Sequence, residues 1–322
     1  MAVTVDTGIR ASNPSPRKRS RVAWREALEG YFCISPWLIG FVIFTAAPLV
    51  ASLYMSFTSW TVTYAPRWIG LENYRYMLVD DGRFWKALYN TFYYIFLAVP
   101  LYTVGGLLTA LLMNVNLAGI RLFRTIWYLP AILPTVGTAL LWVWLLNPEY
   151  GLINRALGLV GIVGPRWLSS EEWAKPGIIL MGLWGVGGAM VVYLAGLKNI
   201  PRDLYEAAEV DGAGLWTRFW AITLPMLSPV IFFNLIMQII GAFQVFSSVF
   251  ILTSGGVGEK PGGPADATLF YVLYLYQQGF QQFRMGYASA LAWVLMLLSL
   301  LVTLVQFKLA GRWVYYEGLV RK

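Results

Sequence analysis

Six stretches of this chain contain no Asp, Glu, Lys or Arg: residues 34–57, 87–113, 125–146, 177–197, 225–253 and 285–307. A hydrocarbon layer about 30 Å thick is crossed by roughly 20 apolar residues at 1.5 Å per residue, so each stretch is long enough to span it as a helix. The predicted fold is an all-α polytopic membrane protein with six transmembrane helices. Composition agrees, since 58% of the 322 residues are hydrophobic, 12% are charged and the mean hydropathy is +0.60.

The same composition removes several kinds of chemistry. Cys33 is the only cysteine, so no disulfide forms within the chain, and there is no histidine to act as a metal ligand or general base. No catalytic residue, bound cofactor or metal site is expected.

Cytoplasmic segments of membrane proteins carry the Lys/Arg excess. With the amino terminus inside, the cytoplasmic segments hold 15 of the 24 basic residues against eight acids, and the outer loops hold nine against eight. Arg17 to Arg21 and the tail residues Lys308, Arg312, Arg321 and Lys322 contribute most. Beside a first span such a basic run reads as an orientation signal, and no nucleic-acid partner is inferred. Residues 1–20 read as a disordered tail, because the apolar run after them is too long for a secretion signal and lacks a small-residue cleavage site. The expected layout is a basic cytoplasmic tail over residues 1–30, a membrane domain over 31–310 and a second cytoplasmic tail over 311–322. The outer loops, near residues 58–86, 147–176 and 254–284, each have room for a short interfacial helix but not for a folded domain.

The longest inner connection, residues 198–224, differs from the rest. Pro201 suits a first helical turn, Asp203 complements the positive end of the helix dipole, and Gly212 offers the positive φ that closes a helix. Leu204, Ala207, Ala208 and Asp211 share one face by their i, i+3, i+4, i+7 spacing, and that face is small enough for close approach. After the turn, LWTRFWAI predicts a second short helix that groups Trp216, Phe219 and Trp220. Such a unit is suited to docking, with Glu206 available for a polar contact. Packing beneath its own bundle is the competing reading.

Glu206-Ala207-Ala208, then Gly212, then Ile222-x-Leu224-Pro225 resembles the EAA loop in the permease subunits of binding-protein-dependent ABC importers. The likeness extends to Trp68-Ile69-Gly70-Leu71-Glu72-Asn73-Tyr74, Tyr128-Leu129-Pro130, Leu252-Thr253-Ser254-Gly255-Gly256, Met285-Gly286-Tyr287-Ala288, and Arg312-Trp313 with Tyr316-Glu317. These are similar to the larger-type permease of carbohydrate importers, although Val257 stands where that family usually has Pro, and the large outer domain of the maltose-type permease is missing. The resemblance implies the type I ABC importer permease fold. It also implies coupling to a cytoplasmic ATPase through Glu206, Ala207, Ala208, Asp211, Gly212, Ile222, Leu224 and Pro225. Its further implications are a second permease as heterodimer partner, two ATPase copies, an extracytoplasmic solute-binding protein, a sugar or polyol substrate, and a place among the lipids of a bacterial or archaeal cytoplasmic membrane. ATP would be bound by the partner ATPase, since no G-x-x-x-x-G-K-[ST] occurs here and Gly255 to Lys260 lacks its essential end.

The spans hold no ionisable residue of the kind that ion-coupled carriers keep at membrane depth, so a neutral, hydroxyl-rich solute is expected. Asn234 and Gln238 are one turn apart, as are Gln244 and Ser248, with Ser247 beside them. Interhelical hydrogen bonding and path lining are both open to such groups. Gly185 and Gly188, in a glycine-rich interruption of span four, serve either close helix packing or a cavity for substrate, and the resemblance places Gly185 at the substrate. Trp184 or Phe243 could stack on a sugar ring or simply fill the bundle. A secondary sugar carrier would leave the EAA loop unexplained, and a membrane docking scaffold would leave the outer-loop likeness unexplained.

Overall fold

A computed structural model describes residues 21–254 and 261–315. The expectations placed on residues 1–20, on Gly255 to Lys260 with Val257, and on the tail from Tyr316 lie outside those residues.

The chain divides into two units, residues 1–54 and 55–322. In the first, α1 (Arg21–Phe41) passes through a π turn at Val42–Ala46 into α2 (Ala47–Ser56). Trp24–Ser56 is long and apolar enough to cross a membrane, and Phe32, Trp37 and Phe44 are exposed along it.

In the second unit α3 (Glu72–Val79) precedes α4 (Gly82–Met113), whose 32 residues extend about 48 Å. Then follow α5 (Ile120–Ile132), α6 (Thr135–Leu145), α7 (Leu152–Leu159), α8 (Ala174–Trp184), α9 (Gly187–Lys198), α10 (Arg202–Val210), α11 (Leu215–Arg218), α12 (Leu224–Phe243), α13 (Ser247–Ser254), α14 (Tyr271–Tyr276) and α15 (Met285–Trp313). Among the described residues no strand forms beyond isolated bridges of Thr58 with Trp68 and Thr61 with Tyr64. Trp24–Ser56, Gly82–Met113, Leu215–Phe243 and Met285–Trp313 can each span a membrane, and there are six spans when α5 with α6 and α8 with α9 each make one.

The third and fifth spans depart from the continuous runs expected. The third bends by 96° between α5 and α6. Pro134 causes this: the residue before a proline is driven out of the helical region, and Leu133 is extended at φ −69°, ψ 143°. The fifth starts earlier than Pro225, at Leu215, and ends at Phe243. α11 runs into α12 through a π turn at Phe219–Thr223, where the Leu224 N–H reaches back to the Phe219 carbonyl just ahead of Pro225, which has no N–H to give. LWTRFWAI is therefore the first part of span five and not a separate helix.

Span four is central, with α9 packed on α4, α5 and α12. Its glycines permit this. A Cβ at Gly187 would collide with the Trp127 carbonyl of α5, and one at Gly196 would stand 2.6 Å from Leu227 of α12. The largest core is aromatic: Phe84 meets Tyr271 edge-on at 5.9 Å, and Tyr94 meets Phe270 at 5.3 Å. α14 lies in this core, with Phe270, Tyr271, Leu273 and Tyr274 buried. The third outer loop had room for a short interfacial helix, and α14 instead lies within the bundle, because its apolar and aromatic side chains find a protein surface to cover them.

Candidate functional site

The loop after α9 is a closed helix–turn–helix. Pro201, at φ −57° and ψ 132°, is the residue before α10 and not its first turn, and Asp203 occupies that first turn. α10 ends in a Schellman turn: the Ala213 N–H donates to the Ala208 carbonyl at 2.8 Å and the Gly212 N–H donates to the Glu209 carbonyl at 3.0 Å. Gly212 holds φ +77°, the left-handed conformation this turn needs, and nothing lies within 4 Å of where its Cβ would be.

Two contacts that the sequence reading missed fix the second half against the first. Tyr205 and Thr223 share a hydroxyl hydrogen bond of 2.9 Å, and Arg218 pairs with Glu209 at 3.3 Å. Their separations, 18 and nine residues, lie far beyond the three- or four-residue reach of side chains along one helix, so only the turn brings them together. The outer surface combines Glu206, Ala207, Asp211 and Gly212 with large apolar groups left open to solvent. Val210 is 88% exposed and Trp216 72%, with Leu215 beside them. Trp216, Phe219 and Trp220 form one aromatic cluster with centroids 5.4–5.9 Å apart. Ala208, Ile222, Leu224 and Pro225 are half-buried. A soluble surface rarely leaves an apolar patch of this kind uncovered.

The residues assigned to the path are less unified. Gln244 caps the end of α12 and the chain breaks before α13 starts at Ser247, so Gln244 and Ser248 do not share a helical turn as their spacing suggested. Gln244 and Ser247 are exposed, and Ser248 is buried. Gly185 lies exposed at the 46° bend between α8 and α9, Gly188 is half-buried against Ala131, and Gly187 makes the tight helix contact. Phe243 is buried edge-on against Phe92 at 5.6 Å, so it fills the bundle and offers no stacking face. Trp184 is partly exposed and meets Trp142 edge-on at 6.1 Å. Asn234 turns back on its own helix and donates to the Val230 carbonyl at 3.1 Å, whereas Gln238 accepts from Thr103 of α4 at 3.4 Å. Interhelical bonding holds for Gln238 and fails for Asn234.

At the other end of α4 a buried polar network joins three chain segments. Asp81 caps α4 by accepting from the backbone N–H groups of Arg83 at 3.0 Å and Phe84 at 3.1 Å, and its second oxygen accepts from the hydroxyls of Tyr274 and Tyr287. Burial, and then the bond to Asp81, hold the Tyr274 phenol above its ordinary pKa. Arg83 makes a two-pronged pair with Asp266 at 3.0 Å and also donates to Gln277 at 3.1 Å. Asn73 donates to the carbonyls of Ser56 and Thr58, and the Gly286 N–H donates to Trp60 at 3.0 Å. The segment after the first apolar run is thereby held by residues of two motifs far apart in sequence. An Asp directly before an apolar helical run is a cap signature, so Asp81 was open to detection.

These features define a polytopic helical membrane protein with four to six spans. The matched family model, binding-protein-dependent transport system inner membrane component, covers residues 76–315, and the chain belongs to that family. It is 44% identical to a probable ABC transporter permease of Bacillus subtilis, YesP, over 94% of this chain and 96% of that one. It is 35% identical to the trehalose/maltose transport system permease MalF of Thermococcus litoralis, over 90% and 96%. A solved bacterial alginate ABC transporter, in complex with alginate pentasaccharide-bound periplasmic protein, contains a chain that matches with a TM-score of 0.78 and 26% identity, over 92% of this chain and 98% of that one. The type I importer permease fold follows, as does a non-catalytic membrane subunit, and the secondary-carrier and scaffold readings fall away.

Proposed function

We propose that this chain forms half of a translocation path for a sugar or related polyol and couples that path to a cytoplasmic ATPase through residues 198–224. The observation that carries the coupling role is the Schellman-closed loop with its exposed Val210, Leu215 and Trp216 beside Glu206 and Ala207. A rigid turn transmits displacement, and small residues admit close docking. Sugar as cargo is supported by the similarity to the trehalose/maltose permease and by apolar runs that hold no Asp, Glu, Lys or Arg. One such loop in six spans supplies one ATPase contact, so the working unit pairs this chain with a second permease, two ATPase copies and a solute-binding protein. Both termini lie in the cytoplasm, and ATP is held by the partner.

Enlarging Ala207 to Leu should block docking while the protein still inserts. Co-purification of the ATPase with the parent chain and its loss from the Ala207→Leu chain is the expected result. Undiminished co-purification from that variant would contradict the coupling surface.

A further inference from the structure

A cavity of about 770 Å³ opens at the end of α4 between α5, α9 and the start of α10. Its wall carries Arg121, Arg124, Lys198 and Arg202 and no Asp or Glu. Arg124 is fixed in place by donating to the Met113 carbonyl from Nε at 3.1 Å and Nη2 at 2.6 Å. Among the described residues the ion pairs formed are Arg83–Asp266, Lys86–Glu171 and Arg218–Glu209, so none of these four cations has a carboxylate partner there. Four like charges around one cavity repel, and an anion in their midst offsets that repulsion. Asn114 and Asn116 add amide groups to the wall, and the caps of α5 and α10, Gly119 and Pro201, give no side-chain acceptor to the N–H groups that start those helices.

The depth of the cavity selects the anion. α4 is apolar and open as far as Leu112, which is 70% exposed, and the cavity wall begins two residues later at Asn114. Leu117 lines it while remaining exposed, and Leu122 and Phe123 stand exposed on the first turn of α5. The cluster of cations therefore sits where an apolar surface gives way to polar chain, the level of a phospholipid headgroup. A small soluble anion would have no use for the apolar flank, whereas acyl chains would cover it.

We propose that this cavity binds the phosphate-bearing headgroup of an anionic phospholipid. Its place in the cytoplasmic leaflet rests on the orientation proposed above, but headgroup binding measured in detergent is indifferent to sidedness, so the two fail separately.

The test is native mass spectrometry of the detergent-solubilised full chain with phosphatidylglycerol, phosphatidylcholine or inorganic phosphate added. Phosphatidylglycerol should be retained in preference to phosphatidylcholine, and Arg121→Gln with Lys198→Gln should lower its retention by about tenfold. Arg121→Lys with Lys198→Arg should keep it. If the Gln pair does not fold, retention by the parent should fall as salt is raised. Equal retention of the two lipids, salt-insensitive binding, or an unchanged Gln variant would overturn the site. Displacement of phosphatidylglycerol by millimolar inorganic phosphate would overturn the lipid as its source.

Discussion

The Tyr205 hydroxyl on α10 and the Thr223 hydroxyl, in the π turn that leads into α12, are joined at 2.9 Å, so the helix before the Gly212 turn is tied directly to span five. Removing either partner should cost about 1 kcal/mol of net hydrogen-bond stabilisation. A cycle of Tyr205→Phe and Thr223→Val, read by thermal unfolding and by transport-stimulated ATP hydrolysis, should give a coupling energy of about 0.5–1.5 kcal/mol. Additive effects of the two changes would show that this bond holds nothing.

Gly212 tests the turn. Space around it is open, so a substitution meets no clash, and its cost is that of the left-handed backbone, about 1–2 kcal/mol. Gly212→Asp is expected to insert normally but to release the ATPase or uncouple hydrolysis from uptake. Gly212→Asn should be milder and Gly212→Val worse, following their tolerance of positive φ. Normal ATPase binding and uptake in the Asp variant would remove the coupling role.

Gln244 and Ser248 require different substitutions. Gln244 is exposed at a helix end, so Gln244→Leu should lower uptake while leaving assembly intact if it lines the path. Ser248 is only 8% exposed, and Leu there would overpack by about 1–3 kcal/mol, so Ser248→Ala is the cleaner change. Unchanged uptake in both variants at normal protein levels would assign the two residues to packing.

The glycines of span four separate by contact. Gly187→Ala should destabilise the folded chain, because its Cβ meets the Trp127 backbone, whereas Gly185→Ala has its nearest neighbour at 3.4 Å and should be tolerated. Thermal stability of the two variants in detergent checks this, and uptake by a stable Gly185→Ala protein then reports on the path alone.

Asp81→Ala should cost about 2–4 kcal/mol, since it removes a helix cap and leaves two buried tyrosine hydroxyls without their acceptor. The sign with pH follows from Tyr274. Its folded pKa is raised, so its contribution is full below the unfolded value of about 10 and is lost as pH climbs from there toward the folded value. Tyr274→Phe should therefore flatten the alkaline fall in melting temperature, and an identical alkaline profile would count against this role.

The sequence by itself determined the charge-free spans and the turn at Gly212. Charge-free runs long enough to cross a bilayer can be read without contacts, because the membrane imposes their length and composition, and Gly212 is legible because only local backbone geometry asks for it. Tertiary structure alone decided which groups meet. Tyr205 finds Thr223, Asp81 finds Tyr287 across 206 residues, and Gly187, not Gly185 or Gly188, is the glycine pressed against a neighbouring backbone. It also broke the turn assumed between Gln244 and Ser248 and drew α14 into the core. Periodicity carries the repeat of one helix and no information about the facing one, so partners across helices depend on how the bundle closes.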